Sequence, residues 1–192
     1  MKQLGVLCHP YCDRKTLSSH PTMETHSKDY VIDAFFLLLA DHDFYAVGVT
    51  SICKKAGVSR ATFYRFFQSK EDIISAYFER SEFQFLSLHQ PLTPYTNPSE
   101  FIFACFSMLS QEKDKLLLLN ERGLIHYLSS ALNEGIERDF AEHDRGDKAL
   151  AYLYAGAVYN LEIYYLNNGA KETPQELTDL FLRFLKSKKL PS

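Results

Sequence analysis

The sequence predicts an all-α protein of about nine helices. Apolar residues recur three and four apart through most of its length. Proline, glycine and asparagine fall between those stretches, where helices stop. No stretch shows the two-residue alternation of a half-buried strand, and no repeat or low-complexity segment is present.

Residues 1–27 lack helical period and contain Pro10 and Pro21, so they read as a tail; Met23, just before the first periodic stretch, is a candidate start. From Lys28 to Ala40, Val31, Phe35, Leu38 and Leu39 share one face with Ala34 and predict the first helix. Val47, Gly48 and Val49 break that pattern. Thr50 is placed to cap a second helix reaching Ala56, which Gly57 ends. A third, short helix starts near Ser59 and ends near Phe67. Ser69 is placed to cap a fourth, with Glu71 and Asp72 in the first turn, where acids suit the helix dipole. Ile73, Ile74, Tyr77 and Phe78 carry this helix toward His89.

Pro91, Pro94 and Pro98 then separate a small head from a larger helical body. In the body, Phe101, Cys105, Met108 and Leu109 mark one helix and Leu116–Leu119 form a short apolar run. Leu124, Leu128, Leu132 and Ile136 mark another helix, and Ala149 to Leu166 a long one that Asn167, Asn168 and Gly169 stop. Thr173-Pro174 opens the last, with proline at the favoured first position, and Leu177, Leu180, Phe181 and Leu185 follow. The expected division is a tail at 1–27, a head at 28–80 and a body at 81–192.

Composition bounds the class. At 46% hydrophobic and 23% charged residues the chain is an ordinary globular one. No apolar run reaches the roughly 18 residues of a membrane span, and no basic stretch with an apolar core reads as a secretory signal. Cys8, Cys12, Cys53 and Cys105 do not form a disulfide framework, so a reducing cytoplasm is the expected location. Cys8, His9 and Cys12, with His20 and His26 downstream, lack a firm second ligand pair, and no metal is expected. Nor is a cofactor or catalytic centre: there is no Gly-rich phosphate loop, no G-x-S-x-G and no H-E-x-x-H. Glu134, Glu137, Glu142 and His143 read as a solvated helix face, because no second helix repeats their pattern as a carboxylate bundle would need.

The net charge of -3 is uninformative, but its distribution is not. From Thr50 to Lys70 there are five basic residues (Lys54, Lys55, Arg60, Arg65, Lys70) and no acid, whereas Ser81–Ser192 holds 11 basic and 15 acidic residues. The same segment fits a helix-turn-helix, which needs two short helices locked by a sharp turn. Gly57 suits the turn, because glycine enters the left-handed region freely. Ile52 and Ala56 before it, and Val58, Phe63 and Phe66 after it, are placed to face inward, and small Cys53 lies where the helices approach. A buried thiol is the plainer reading of Cys53, beside a redox switch inside the DNA-binding unit.

The outward face then carries the chemistry. Ser59, Arg60 and Thr62 lie at the start of the third helix, the end such helices direct into the major groove. Arg60 can offer a two-pronged donor to guanine, Thr62 can touch a base or the thymine methyl, and small Ala61 permits close approach. Tyr64 and Lys70 suit phosphates, as does Thr50 with its free backbone N–H, and Ser51 and Arg65 complete the candidate surface. Tyr64 has the alternative of being a core tyrosine.

The stretch TSICKKAGVSRATFYRFFQSKEDII resembles the DNA-binding head of TetR-family transcription regulators. Ala56-Gly57-Val58-Ser59, Thr62, Phe63, Tyr64, Phe67, Lys70 and Ile73 match the pattern, and the close resemblance covers about Lys28 to Arg80. It implies a homodimer on a palindromic operator, acting as a repressor, with contacts at Thr50, Ser59, Arg60, Thr62, Tyr64 and Lys70. Cys53 stands where alanine is usual. Arg65 and Phe66 occupy variable positions, so no operator sequence transfers.

The body resembles the family's ligand-binding and dimerising domain. Phe103, Phe106, His126, Tyr127 and Tyr152 are the candidate cavity lining for a small-molecule effector. Tyr152, Ala155, Gly156, Tyr159, Ile163, Leu177 and Phe181 are the candidate dimer face. The alternative is control by a partner protein, in a body with no small-molecule pocket.

Overall fold

Apolar stripes of the predicted period become helices throughout. The structure, a computed structural model, describes residues 23–89, 92–94, 97–142 and 148–186. Among these it contains nine α-helices, one 3-10 turn and no strand. Of the expected tail, residues 1–22 with Cys8, His9, Cys12 and His20 lie outside the described residues, as does His143, whereas His26 lies in the first helix.

The first helix, α1 (Met23–Asp41), starts five residues before the expected Lys28. Val31, Ile32, Phe35 and Leu39 are wholly buried on its inner face, each worth about 1.5–3 kcal/mol relative to exposure. A 3-10 turn, Phe44–Ala46, follows; its three residues are too few to show a period. Then come α2 (Val49–Ala56) and α3 (Arg60–Phe66), both packed against α1.

The cap of α2 is Gly48 and not Thr50. Gly48 offers no side-chain acceptor, so the first-turn N–H groups, that of Thr50 among them, stay open to an outside acceptor. Gly57 ends α2 with φ at 69°, the left-handed value expected of it, and Val58 N–H donates to the Cys53 carbonyl across the turn. At the next start Ser69 behaves as predicted. Its hydroxyl accepts from Asp72 N–H at 3.4 Å, and the Asp72 carboxylate accepts from Ser69 N–H at 3.0 Å, a reciprocal cap.

That start belongs to α4 (Glu71–His89), which runs from head to body without interruption. Its first half buries Ile73, Ile74 and Tyr77 against the head; further along, Glu82 pairs with Arg138 of the body at 2.9 Å. Arg80 binds Asp29 of α1 at 3.0 Å. Head and body are therefore joined through a shared helix that ends at His89, as expected, just before the proline-containing stretch.

The body comprises α5 (Pro98–Gln111), α6 (Lys113–Glu121), α7 (His126–Glu142), α8 (Lys148–Asn167) and α9 (Pro174–Lys186). α7 packs along α8, and α5 along α9. Gly169 at φ 77° closes α8, and the Thr173–Glu176 pair caps α9, with Thr173 N–H donating to the Glu176 carboxylate at 2.8 Å.

Candidate nucleic-acid interface

α3 is short, and its residues divide sharply by face. Ser59 caps it, accepting from Thr62 N–H at 3.0 Å, and its hydroxyl also bonds the Thr62 hydroxyl at 2.9 Å. Inward, Phe63 is 0% exposed and packs on Phe67, at 2%. Phe66, expected to be the inward residue, is only partly buried and carries the Arg65 guanidinium over its ring. Phe67 takes the core position because the chain leaves helical geometry there, with φ at -137°. Ile52 and Cys53 of α2 are buried behind them, and Ala56 and Val58 pack at the edge. Burial raises the Cys53 thiol above its ordinary range, against the pull of Arg60, so it remains a neutral packing group.

Outward, Thr50, Ser51, Ser59, Arg60, Ala61, Tyr64 and Arg65 are exposed, and Thr62 is half-buried. Tyr64 is 49% exposed, which excludes the core alternative. Arg60 leans on it, Nη2 donating to the Tyr64 hydroxyl at 3.5 Å with the guanidinium 5.8 Å from the ring centre. Arginine and tyrosine thus stand together, one turn apart, and both are exposed to solvent. Lys54 and Lys55 are exposed in the last turn of α2.

Lys70 is engaged within the head. Its ammonium donates to the Phe44 carbonyl at 2.5 Å and the Val47 carbonyl at 3.2 Å, and sits 4.1 Å from the centre of the Phe44 ring. The side chain is a strut between the start of α4 and the 3-10 turn, and two of its three donors are already engaged. A positioning role therefore stands beside the expected phosphate contact, for which one donor is left. Sequence reasoning missed this because the acceptors are backbone carbonyls more than twenty residues away.

The body contains a cavity of about 160 Å³ between α4, α5, α7 and α8. None of the five aromatics expected to line it does so. Phe106 is fully buried elsewhere in the core, Tyr152 and His126 are exposed, Tyr127 is half-buried, and Phe103 lines a shallow groove beside α9. The lining comes from the neighbouring face of α5, through Phe101, Cys105, Met108 and Leu109, and from Phe78 and Phe85 of α4. Helical spacing marks an apolar stripe without saying whether the opposing surface fills it.

The expected dimer face also splits. Ala155, Leu177 and Phe181 are buried within the chain and cannot serve. Tyr152 is exposed, and Gly156, Tyr159 and Ile163 are half-buried on the outer side of α8. Leu153 and Tyr164 of α8, with Leu180, Phe184 and Leu185 of α9, are exposed apolar residues that the expectation did not include.

Residues 31–77 match the family model of the bacterial regulatory proteins of the tetR family. The HTH-type transcriptional regulator YxbF of Bacillus subtilis (strain 168) is 27% identical over 174 residues, covering 81% of this chain and 43% of its own length. The chain thus spans less than half of that relative. Among solved structures, the TetR transcriptional regulator of Streptococcus agalactiae 2603V superposes with a TM-score of 0.60 at 19% identity, covering 85% of this chain and 96% of that one. FadR of Bacillus subtilis, solved with stearoyl-CoA, gives 0.56 at 21% identity, covering 84% and 99%. These likenesses establish a shared fold. Over residues 31–77 the chain is similar to the bacterial regulatory proteins of the tetR family.

Proposed function

We propose that the chain is a cytoplasmic transcriptional repressor that binds a palindromic operator as a homodimer and is released by a small molecule held in its body. It is a regulator and not an enzyme. The observation that carries this reading is the two-faced α3. Phe63 and Phe67 fix the helix in the head, while Arg60 and Tyr64 project from its opposite side beside Thr62 and the uncapped start of α2. Such a helix can lie in the major groove, with Arg60 and Thr62 reading base edges and Tyr64, Thr50 and Ser51 positioning phosphates. Ser59 holds Thr62 through its cap, small Ala61 permits approach, and Arg65 adds charge along the helix.

Homodimerisation is supported by the exposed apolar residues of α8 and α9, where Tyr152, Leu153, Tyr164 and Phe184 would be covered by the second copy. Control by a ligand, in preference to a partner protein, is supported by the body cavity, and FadR, which shares the fold, was solved with stearoyl-CoA. At about 160 Å³ the cavity is far too small for a stearoyl chain, so this effector is smaller.

The test is a fluorescence-anisotropy titration with DNA flanking the chain's own gene. Specific binding at two heads per palindrome is expected, lost progressively with salt. Binding no tighter to that DNA than to an unrelated duplex at any salt concentration would sink the proposal.

A further inference from the structure

Most charged residues of the body are solvated or paired. Glu162 is neither. It lies on the inner face of α8 at 4% exposure, lines the cavity, and its Oε2 has no hydrogen-bond partner among the described residues. A carboxyl group left so in an apolar site is costly and invites a partner from outside.

The groups around it define the partner's charge. From α4, Tyr77 and Glu82 face the cavity; from α5, Cys105; and from the α5–α6 junction, Glu112. The lining residues of α7 are Leu128, Ala131, Leu132, Gly135 and Ile136, none of which titrates. Glu82 is already paired with Arg138, and Glu112 accepts from Lys115 at 2.9 Å and from the Tyr77 hydroxyl at 3.1 Å. Among the described residues no lysine, arginine or histidine lines the cavity. An incoming anion would find no countercharge there, whereas a cation would find one unengaged carboxylate. The volume resembles that of an engineered apolar cavity of ~150 Å³ that admits benzene, so the ligand body is about one ring with a short arm.

We propose that this cavity takes a small lipophilic amine, its ammonium seated on the Glu162 carboxylate and its hydrocarbon body against Phe78, Phe85, Met108 and Leu132. This deepens the ligand-controlled reading above and rests on it. Burial holds the Glu162 carboxyl up at about 8, so in the empty cavity it carries its proton at neutral pH. The ammonium stabilises the carboxylate, and on binding the carboxyl releases that proton to solvent while the amine keeps its own. Binding at pH 7 therefore liberates about one proton per ligand. The Cys105 thiol, raised by burial and then by the Glu162 charge, stays neutral beside the pair.

The experiment is isothermal titration calorimetry of the full chain with 2-phenylethylamine, 2-phenylethanol and 3-phenylpropionate, at pH 7 in two buffers of different ionisation enthalpy. The amine is expected to bind about tenfold or more tighter than the alcohol, with release of about one proton, and the carboxylate is expected not to bind. In Glu162→Gln the preference for amine over alcohol disappears while the alcohol's affinity is kept. Ala131→Phe, which fills the cavity, abolishes both. Equal or tighter binding of the alcohol or the carboxylate, no proton release, a preference that survives in Glu162→Gln, or no binding of the amine overturns the proposal. The wild-type comparison and the proton count stand even if Glu162→Gln does not fold. Because the DNA titration uses ligand-free protein, failure here with DNA binding intact removes only this inference, and loss of DNA binding removes the regulator reading instead.

Discussion

Arg122 and Asp43 join body to head: Nη1 of Arg122, in the turn between α6 and α7, lies 3.1 Å from the Asp43 carboxylate, just after α1. A second guanidinium nitrogen donates to the Ala40 carbonyl at 3.4 Å. With the continuous α4, these contacts tie the α6–α7 turn of the body to the end of α1. The Asp43 side chain is 82% exposed, so the ion pair itself is weak. Asp43→Ala is expected to reduce stability by less than about 1 kcal/mol, and the difference should shrink further in strong salt. Urea unfolding at low and high sodium chloride measures both. A larger loss that ignores salt would mean that the pair is shielded in solution.

Lys70 tests the difference between holding the head and holding DNA. Lys70→Met keeps the aliphatic stem but removes the ammonium that binds the Phe44 and Val47 carbonyls. Loss of such charge-assisted bonds costs roughly 1.5–3 kcal/mol, seen as a lower urea midpoint. DNA affinity should fall with it, while the slope of log affinity against log salt stays unchanged. A slope shallower by about one would instead identify Lys70 as a phosphate contact.

Arg60 and Tyr64 should separate in the opposite way. Arg60→Ala is expected to cost about 1–3 kcal/mol of discrimination at one operator base pair. Tyr64→Phe removes the hydroxyl that Arg60 touches and is expected to weaken binding to operator and non-operator DNA alike. Titrations against single-base operator variants give both results. Unchanged discrimination in Arg60→Ala would show that the guanidinium lies on the backbone.

The head was legible from sequence because its constraints are local. Gly57 needs a left-handed backbone, Ser59 and Ser69 need a donor a few residues ahead, and Phe63 has one inward direction on a short helix. Where the answer depended on distant chain, the reading fell short. Phe67 replaced Phe66 in the core because the helix had already ended, and Lys70 turned inward to carbonyls of the 3-10 turn. In the body, Phe106 and Tyr152 are equally aromatic at equally helical spacing, yet one is fully buried and the other exposed. Only the packing of α5 on α9 and of α7 on α8 decides which faces meet and where a gap is left. Glu162 carried no signal among the aromatics of its helix, since a lone glutamate on a helix reads as solvated.

Glu162 also gives the head-independent prediction with a definite sign. Its carboxyl is raised from 4.5 to about 8 by burial, so between these values the folded chain binds a proton that the unfolded chain has released. Stability from this group is therefore undiminished below the unfolded value and is lost as pH rises through the window, by up to about 1.4 kcal/mol per unit. Glu162→Gln keeps the shape without the titration, so its stability relative to wild type should climb steadily from pH 5 to pH 8 and level off above. Other carboxylates titrate in both proteins and cancel in the difference. Urea unfolding of the two proteins at half-unit steps of pH supplies the curve. Parallel profiles would mean that the carboxyl reaches solvent or a partner in the empty protein, and the cavity would then lack the unengaged charge on which amine recognition depends.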